Sequence, residues 1–307
     1  MARVAIVFPG QGAQQPGMGQ ALYEASPEAR ALMDRAEGMM PGLLETCFGG
    51  PMERLTRTDI AQPALYMVES ALAEALLAEG VRGQAAAGFS LGEWPACRYA
   101  GIMGFEAGFE LVRQRGAFMQ ACAQESPGGM AAVLRLSADQ LNELLKRHPE
   151  LRAVNFNAPG QTVVAGPIPA LEAFEQDLRG QGLRSMRLNV AGAFHSPLME
   201  KAAGQLSRAL HDTPLNSPEI PVYSNLTALP YAADTARDWL PRQLASPVRW
   251  EESIRNMGEA GYDTFLELGP GRVLSGLIGK ILPGASTLQA EDMDGIRQAA
   301  EQLGGQA

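Results

Sequence analysis

Cysteine and histidine are scarce in this chain, which carries three of each among 307 residues. Cys47, Cys97 and Cys122 are odd in number and show no CxxC spacing. That argues against a disulfide framework and against a zinc site, leaving reduced, buried thiols as the expectation. Positive charge is also in short supply: 25 Lys and Arg face 34 Asp and Glu, for a net charge of −9. Generic nucleic-acid binding needs a concentrated basic field and is disfavoured. Long apolar runs are missing as well. No stretch approaches membrane-spanning length, and the run Val4 to Phe8 is too short for a signal peptide, so the expected compartment is the cytoplasm. Disorder is excluded from the other side, because 46% of the residues are hydrophobic and only 19% charged.

What is present reads as an alternation of strands and helices. Val4 to Phe8 is apolar without alternation and is bounded by Pro9-Gly10, the mark of a strand buried on both faces of a parallel sheet. Ala61 to Ala78 is a helical run ending at Gly80, and Ala85 to Phe89 is a second buried strand, followed by a helix over Leu91 to Tyr99. Another helix covers Phe105 to Ala121 and stops at Ser126-Pro127-Gly128-Gly129. The grammar then changes. Strands are expected at Met130 to Leu136, Ala153 to Asn157, Thr162 to Gly166 and Leu183 to Val190, with helices at Ala138 to Arg147 and Pro169 to Gly180. That βαββαβ order is ferredoxin-like. After Gly192 come a helix from Pro197 to His211, a strand at Val222 to Ser224, a helix at Trp250 to Ala260, and a strand at Thr264 to Leu268 leading to Gly269-Pro270-Gly271. The expected fold class is α/β: an α/β-hydrolase-like large domain with a parallel sheet, residues 1–125 and 192–307, and an inserted ferredoxin-like small domain, residues 126–191.

Gly88-Phe89-Ser90-Leu91-Gly92 fits G-x-S-x-G between a strand and a helix, where a sharp turn holds a serine hydroxyl above the sheet. A chain with 34 glycines can produce the bare motif by chance, so the strand-to-helix context carries the weight. A serine nucleophile needs a base. His148 sits in the polar stretch Lys146-Arg147-His148-Pro149-Glu150, and His211 in Leu210-His211-Asp212-Thr213-Pro214 looks similar. His195 differs: Ala193-Phe194-His195-Ser196-Pro197 is an otherwise apolar turn where the chain re-enters the large domain. Gly10-Gln11-Gly12-Ala13-Gln14 also follows a strand, but it lacks the Gly-Lys-Ser/Thr of a P-loop, and Gln15 takes the last glycine position of G-x-G-x-x-G. Its backbone N–H groups suit an oxyanion better than a nucleotide. At this level an acyltransferase and an esterase or thioesterase both fit.

Further segments narrow the choice. Phe8-Pro9-Gly10-Gln11-Gly12, Gly88 to Glu93, Arg113-Gln114-Arg115-Gly116, Asn155 to Gln161, Ala193 to Met199, Pro247-Val248-Arg249-Trp250 and Glu267 to Gly271 occur in an order that resembles the malonyl-CoA:acyl carrier protein transacylases of fatty-acid synthesis and the related polyketide acyltransferase domains. The likeness covers nearly the whole chain. It implies that Ser90 is the acylated nucleophile and His195 its base, oriented by the backbone carbonyl of Gln243. It implies an oxyanion hole from the backbone N–H groups of Gln11 and Leu91. Arg115 matches the arginine that grips the malonyl carboxylate, a task suited to a planar guanidinium. Phe194, Asn225 and Met119 are carried over as further substrate-side residues. Malonyl-CoA and acyl carrier protein are the implied partners, with no metal or redox cofactor, no nucleic acid, no membrane, and a monomeric state. Carrier proteins being acidic, a local basic patch is expected, with Arg184 and Arg187 as candidates. One position departs from the family: Phe89 stands where histidine is usual before the nucleophile. A transacylase subunit of malonate decarboxylase is an alternative from the same fold and differs in its partner carrier.

Overall fold

The computed structural model describes residues 2–232 and 234–304. Strands β1 (Val4–Phe8) and β2 (Ala85–Gly88) lie side by side in parallel, with Phe8 opposite Gly88. The chain then leaves this sheet to build β3 (Gly128–Leu134), β4 (Arg152–Ala158), β5 (Gln161–Pro167) and β6 (Ser185–Arg187). It returns for β7 (Val222–Tyr223), β8 (Thr264–Leu268) and β9 (Ser286–Ala290). The large sheet runs β7-β2-β1-β8-β9 and is parallel at every pairing.

Side-chain alternation along β1 explains why this strand is continuously apolar. Val4, Ile6 and Phe8 enter the main core with the long helices Thr58–Ala78 and Phe105–Glu125, while Ala5 and Val7 enter a second core with Trp250, Ile254 and Ile278. Both faces are therefore covered. Because β2 and β8 flank β1 on opposite sides, the loops leaving β1 and β2 meet at the carboxyl end of the sheet, where crevices open in sheets of this kind. Those loops begin at Pro9 and Phe89.

The small sheet is antiparallel in the order β4-β5-β3-β6. Helices Ala138–Leu145 and Ile168–Gly180 supply a core of their own, built on Leu141, Leu144, Leu171, Phe174 and Leu178 against Ala131, Val133 and Val164. Ser137 starts the first of these helices with a reciprocal capping box to Gln140. The last strand is shorter than its sequence suggests. Only Ser185–Arg187 pairs, with Ala131 to Val133, and Met186 and Arg187 stay exposed. The small sheet is joined by backbone to the segment that precedes the helix Trp250–Glu259: Phe156 N–H donates to Val248 O at 2.9 Å and Val248 N–H to Val154 O at 2.8 Å. Among the described residues no helix is long and apolar enough to cross a membrane.

Candidate active site

Ser90 sits at the end of β2 with φ 54°, in the left-handed region that costs a non-glycine residue energy. The glycines around it are required by backbone crowding. A Cβ on Gly88 would fall 1.9 Å from the carbonyl carbon of Gly92, and one on Gly92 would fall 2.1 Å from Phe8 O. A Cβ on Gly10 would lie 2.4 Å from Phe89 O, so the β1 loop runs directly against the turn. Asn225 braces the turn from below: Ser90 N–H donates to its Oδ1 at 2.7 Å, and its Nδ2 donates to Gly88 O at 2.7 Å. Asn225 is fully buried, and the structure commits its amide to the backbone of the nucleophile turn rather than to a substrate face.

His195 also has left-handed torsions, φ 61°, which aim its ring at the serine. Nε2 lies 2.7 Å from Ser90 Oγ, and Nδ1 lies 2.9 Å from the backbone carbonyl of Gln243. A carbonyl can only accept, so Nδ1 carries the proton and Nε2 presents its lone pair to the serine hydroxyl. Burial lowers the imidazole pKa to about 4, the Arg115 cation acts in the same direction, and backbone bonding at Gln243 and Ser246 opposes them. The ring is neutral at neutral pH, as a base must be. The other histidines lie elsewhere. His148 packs edge-on to Phe174 beside Asp177 in the small domain, and His211 is exposed beside Asp212.

Arg115 is fully buried, on the helix Phe105–Glu125. Nη1 donates to Gln62 Oε1 at 2.7 Å, Nη2 donates to Gln243 Oε1 at 2.9 Å, and Nη2 reaches Ser90 Oγ at 3.3 Å. Its Nε–H has no partner, and among the described residues no carboxylate forms an ion pair with it. Burial brings the guanidinium down to about 9, with the Glu93 charge acting the other way, so it stays cationic at neutral pH. Gln62 links this cation to the β1 loop through Gln11 Oε1 at 3.4 Å, and Gln11 Nε2 donates to Thr58 Oγ1 at 3.3 Å. Leu91, fully buried, follows Ser90 in the first helical turn.

Met119 is buried one helical turn beyond Arg115, its sulfur accepting from Gln62 Nε2 at 3.1 Å, so it supports the arginine's partner. Phe194 is buried in the main core next to His195. The Phe89 ring packs edge-on to Trp250 at 5.7 Å in the second core. Arg187, proposed for a basic patch, is held by Glu175 through bonds of 2.9 and 2.7 Å, which cancels its charge locally; Arg184 is exposed. Sequence reasoning missed four contributors: Gln62, the Glu93 carboxylate, Tyr231, and the side chain of Gln243. Gln62 was visible as a lone amide in an apolar helical run, and Glu93 closes the recognised segment Gly88 to Glu93 without a role attached to it; Tyr231 and the Gln243 side chain left no local pattern.

A neutral imidazole on a strained serine, next to a buried cation with spare donor capacity, is equipped for acyl transfer from an acyl group that carries its own negative charge. Comparison with known proteins points the same way. The family described as the acyl transferase domain matches residues 5–292. The malonyl CoA-acyl carrier protein transacylase of Bacillus subtilis is 37% identical over 311 residues, covering 99% of this chain and 98% of that protein. The structure of the malonyl CoA-acyl carrier protein transacylase from Clostridium perfringens superposes with a TM-score of 0.94 at 34% identity, covering 99% of this chain and 98% of that one. A malonyl-transacylase solved in complex with its type II PKS acyl-carrier protein gives a TM-score of 0.94 at 33% identity, covering 98% of this chain and 100% of that one. With the family match over residues 5–292 and a fold shared over nearly the whole length, the chain belongs to the acyl transferase family, among the malonyl-CoA:acyl carrier protein transacylases.

Proposed function

We propose that the chain transfers a malonyl group from malonyl-CoA to the phosphopantetheine thiol of an acyl carrier protein through a malonyl-Ser90 ester. The observation that carries this reading is the buried Arg115 guanidinium 3.3 Å from the nucleophile oxygen. Once the acyl group is on Ser90, its free carboxylate lies only one methylene beyond the ester carbon, within the reach of that cation. A plain esterase has no use for a buried charge there.

In the first half-reaction His195 Nε2 takes the Ser90 proton as Oγ adds to the thioester carbonyl, and the backbone N–H groups of Gln11 and Leu91 receive the oxyanion. The C–S bond breaks, His195 returns the proton to sulfur, and CoA leaves as its thiol. The carrier thiol then reverses the sequence, giving its proton to His195 and taking the malonyl group. Every proton and electron pair is held by Ser90, His195 and the two thioesters, so the cycle calls for no metal or redox cofactor. The same reading makes the protein a monomer and places it in the cytoplasm, a compartment in keeping with three unpaired buried thiols.

Incubation with malonyl-CoA, followed by intact mass measurement, should give a malonyl adduct that Ser90→Ala abolishes and that added carrier protein discharges. His195→Ala should slow adduct formation by about 10²- to 10⁴-fold. Free malonate as the sole product, with the carrier unloaded, would make the protein a hydrolase instead. Arg115→Ala should erase the preference for malonyl-CoA over acetyl-CoA.

A further inference from the structure

Below the reacting atoms lies a carboxylate that the transfer cycle does not use. Glu93 opens the helix Glu93–Tyr99 immediately after the nucleophile turn and is fully buried. Its Oε1 accepts from Asn225 N–H at 3.1 Å and from the Tyr231 hydroxyl at 2.5 Å, and its Oε2 accepts from Gln243 Nε2. The same Gln243 amide nitrogen donates to Ser90 O at 2.7 Å, while Gln243 Oε1 accepts from Arg115. Gln243 thus stands between a group that can only donate and a group that can only accept.

We propose that Glu93 is a positioning residue which fixes the orientation of the Gln243 carboxamide, and through it sets the buried guanidinium of Arg115 against Ser90. The inference rests on the malonyl-transfer reading above, because it concerns how the carboxylate reader of that reaction is held. A carboxamide has two nearly isosteric ends, and its environment decides which way it lies. Here the anion draws the NH₂ end and the cation draws the oxygen end, so the amide dipole is aligned by charge at both termini. The Asn225 N–H and the Gln243 NH₂ group have no acceptor capacity in this plane, so both Glu93 oxygens must receive hydrogen bonds. Glu93 is also the acid whose charge acts on Arg115 across the amide. The backbone of Gln243 holds His195 and its side chain holds Arg115, so one residue spans the base and the reader.

Replacing the carboxylate by its neutral isostere upsets this arrangement without changing its volume. In Glu93→Gln either the new NH₂ faces the Gln243 NH₂, or it turns toward the Asn225 N–H. In both cases a donor meets a donor, and a flip of Gln243 would relieve only the first, by presenting its NH₂ to Arg115 instead. Loss of a charge-assisted partner of this kind is expected to reduce the malonyl-CoA rate of Ser90 acylation by about 10- to 100-fold, expressed mainly in KM. Acetyl-CoA, which has no carboxylate for Arg115, should lose less than about threefold.

The test is Ser90 acylation by malonyl-CoA and by acetyl-CoA, followed by intact mass, for wild type, Glu93→Gln, Gln243→Met and the double variant. Gln243→Met keeps the backbone carbonyl that orients His195 and removes the carboxamide. It should raise the malonyl-CoA KM as Glu93→Gln does, and in its presence Glu93→Gln should have no further effect on the malonyl-to-acetyl ratio. Equal losses for both thioesters in Glu93→Gln, or additive losses in the double variant, overturn the inference and leave Glu93 a structural residue. Should Glu93→Gln not fold, Gln243→Met alone decides: an unchanged malonyl-to-acetyl ratio overturns it. Failure of the underlying reading looks different, since wild type would then form no malonyl adduct at all.

Discussion

At Ser90 and His195 the two reacting side chains both hang from left-handed backbone, and such torsions cost about 1–3 kcal/mol each unless the surroundings impose them. Around Ser90 the imposing contacts are backbone to backbone. Gly88→Ala is therefore expected to act as a lesion of the turn and not of the base, because its Cβ would meet Gly92 at 1.9 Å with no flexible side chain to yield. Malonyl adduct formation should fall to the level of Ser90→Ala, and a Gly88→Ala protein acylated at the wild-type rate would refute the crowding argument. The imidazole offers a second check. Its pKa is lowered to about 4, facing Arg115 on one side and the backbone carbonyls on the other. A base works when deprotonated, so kcat/KM should hold nearly constant as pH falls from 8 to about 5 and drop only on approaching 4, well below the 6.5 of a free imidazole. An acid limb centred near 6.5 would show that the buried environment does not govern the ring. The same depression carries a stability consequence: between these two values the unfolded chain binds the proton that the folded chain refuses, so stability decreases as pH falls through that window.

The unusual Phe89 belongs to the scale of elements. It follows directly on β2, and its ring is used to seat the Trp250–Glu259 helix against the sheet through an edge-on contact with Trp250. Phe89→Ala should lower stability in urea by about 2–3 kcal/mol, less than for a fully buried phenylalanine, while the malonyl adduct still forms at Ser90. Loss of the adduct in a protein of unchanged stability would move the ring into the active site. Phe89 also shows where sequence reading stops. Strands such as Val4–Phe8 and Thr264–Leu268 are legible because burial on both faces leaves an uninterrupted apolar run. Edge strand β9 mixes partly exposed and buried positions and has no comparable signal, whereas β7, expected at Val222 to Ser224, is found although it pairs over only two residues. The short helices between Gln20 and Leu55 escape for a related reason: Gly19 and Gly42, both at positive φ, start elements of 6 and 7 residues that contain too few turns to reveal a period. In the site, Ser90 and His195 announce themselves by local motif. The partnership of Glu93 with Gln243 joins residues 150 apart, and a hydrogen bond at that separation has no sequence period to betray it.

Across the whole molecule one face of the small sheet keeps an apolar core of its own, while the other face, with Met130, Ala132, Val154, Val163 and Ala165, joins the main core beside the hydrogen-bonded backbone of Val154, Phe156 and Val248. The residues gathered around Ser90 all belong to the large domain, although His195 lies just beyond the chain's exit from the small one. This division predicts an asymmetric response to core damage. Phe174 is fully buried in the small core, against His148 and the β3–β5 face, so Phe174→Ala should cost about 3–5 kcal/mol of cavity and transfer energy. Because that cavity opens on the face of the small sheet turned away from the main core, native-state hydrogen exchange should speed up at the amides of β3, β4 and β5 while β1 and β8 retain their protection. Uniform loss of protection over both sheets would mean that the Val248 seam couples them into one cooperative unit. In that event the insert would be part of what holds His195 in place, and adduct formation at Ser90 would decline in step with the small domain's stability.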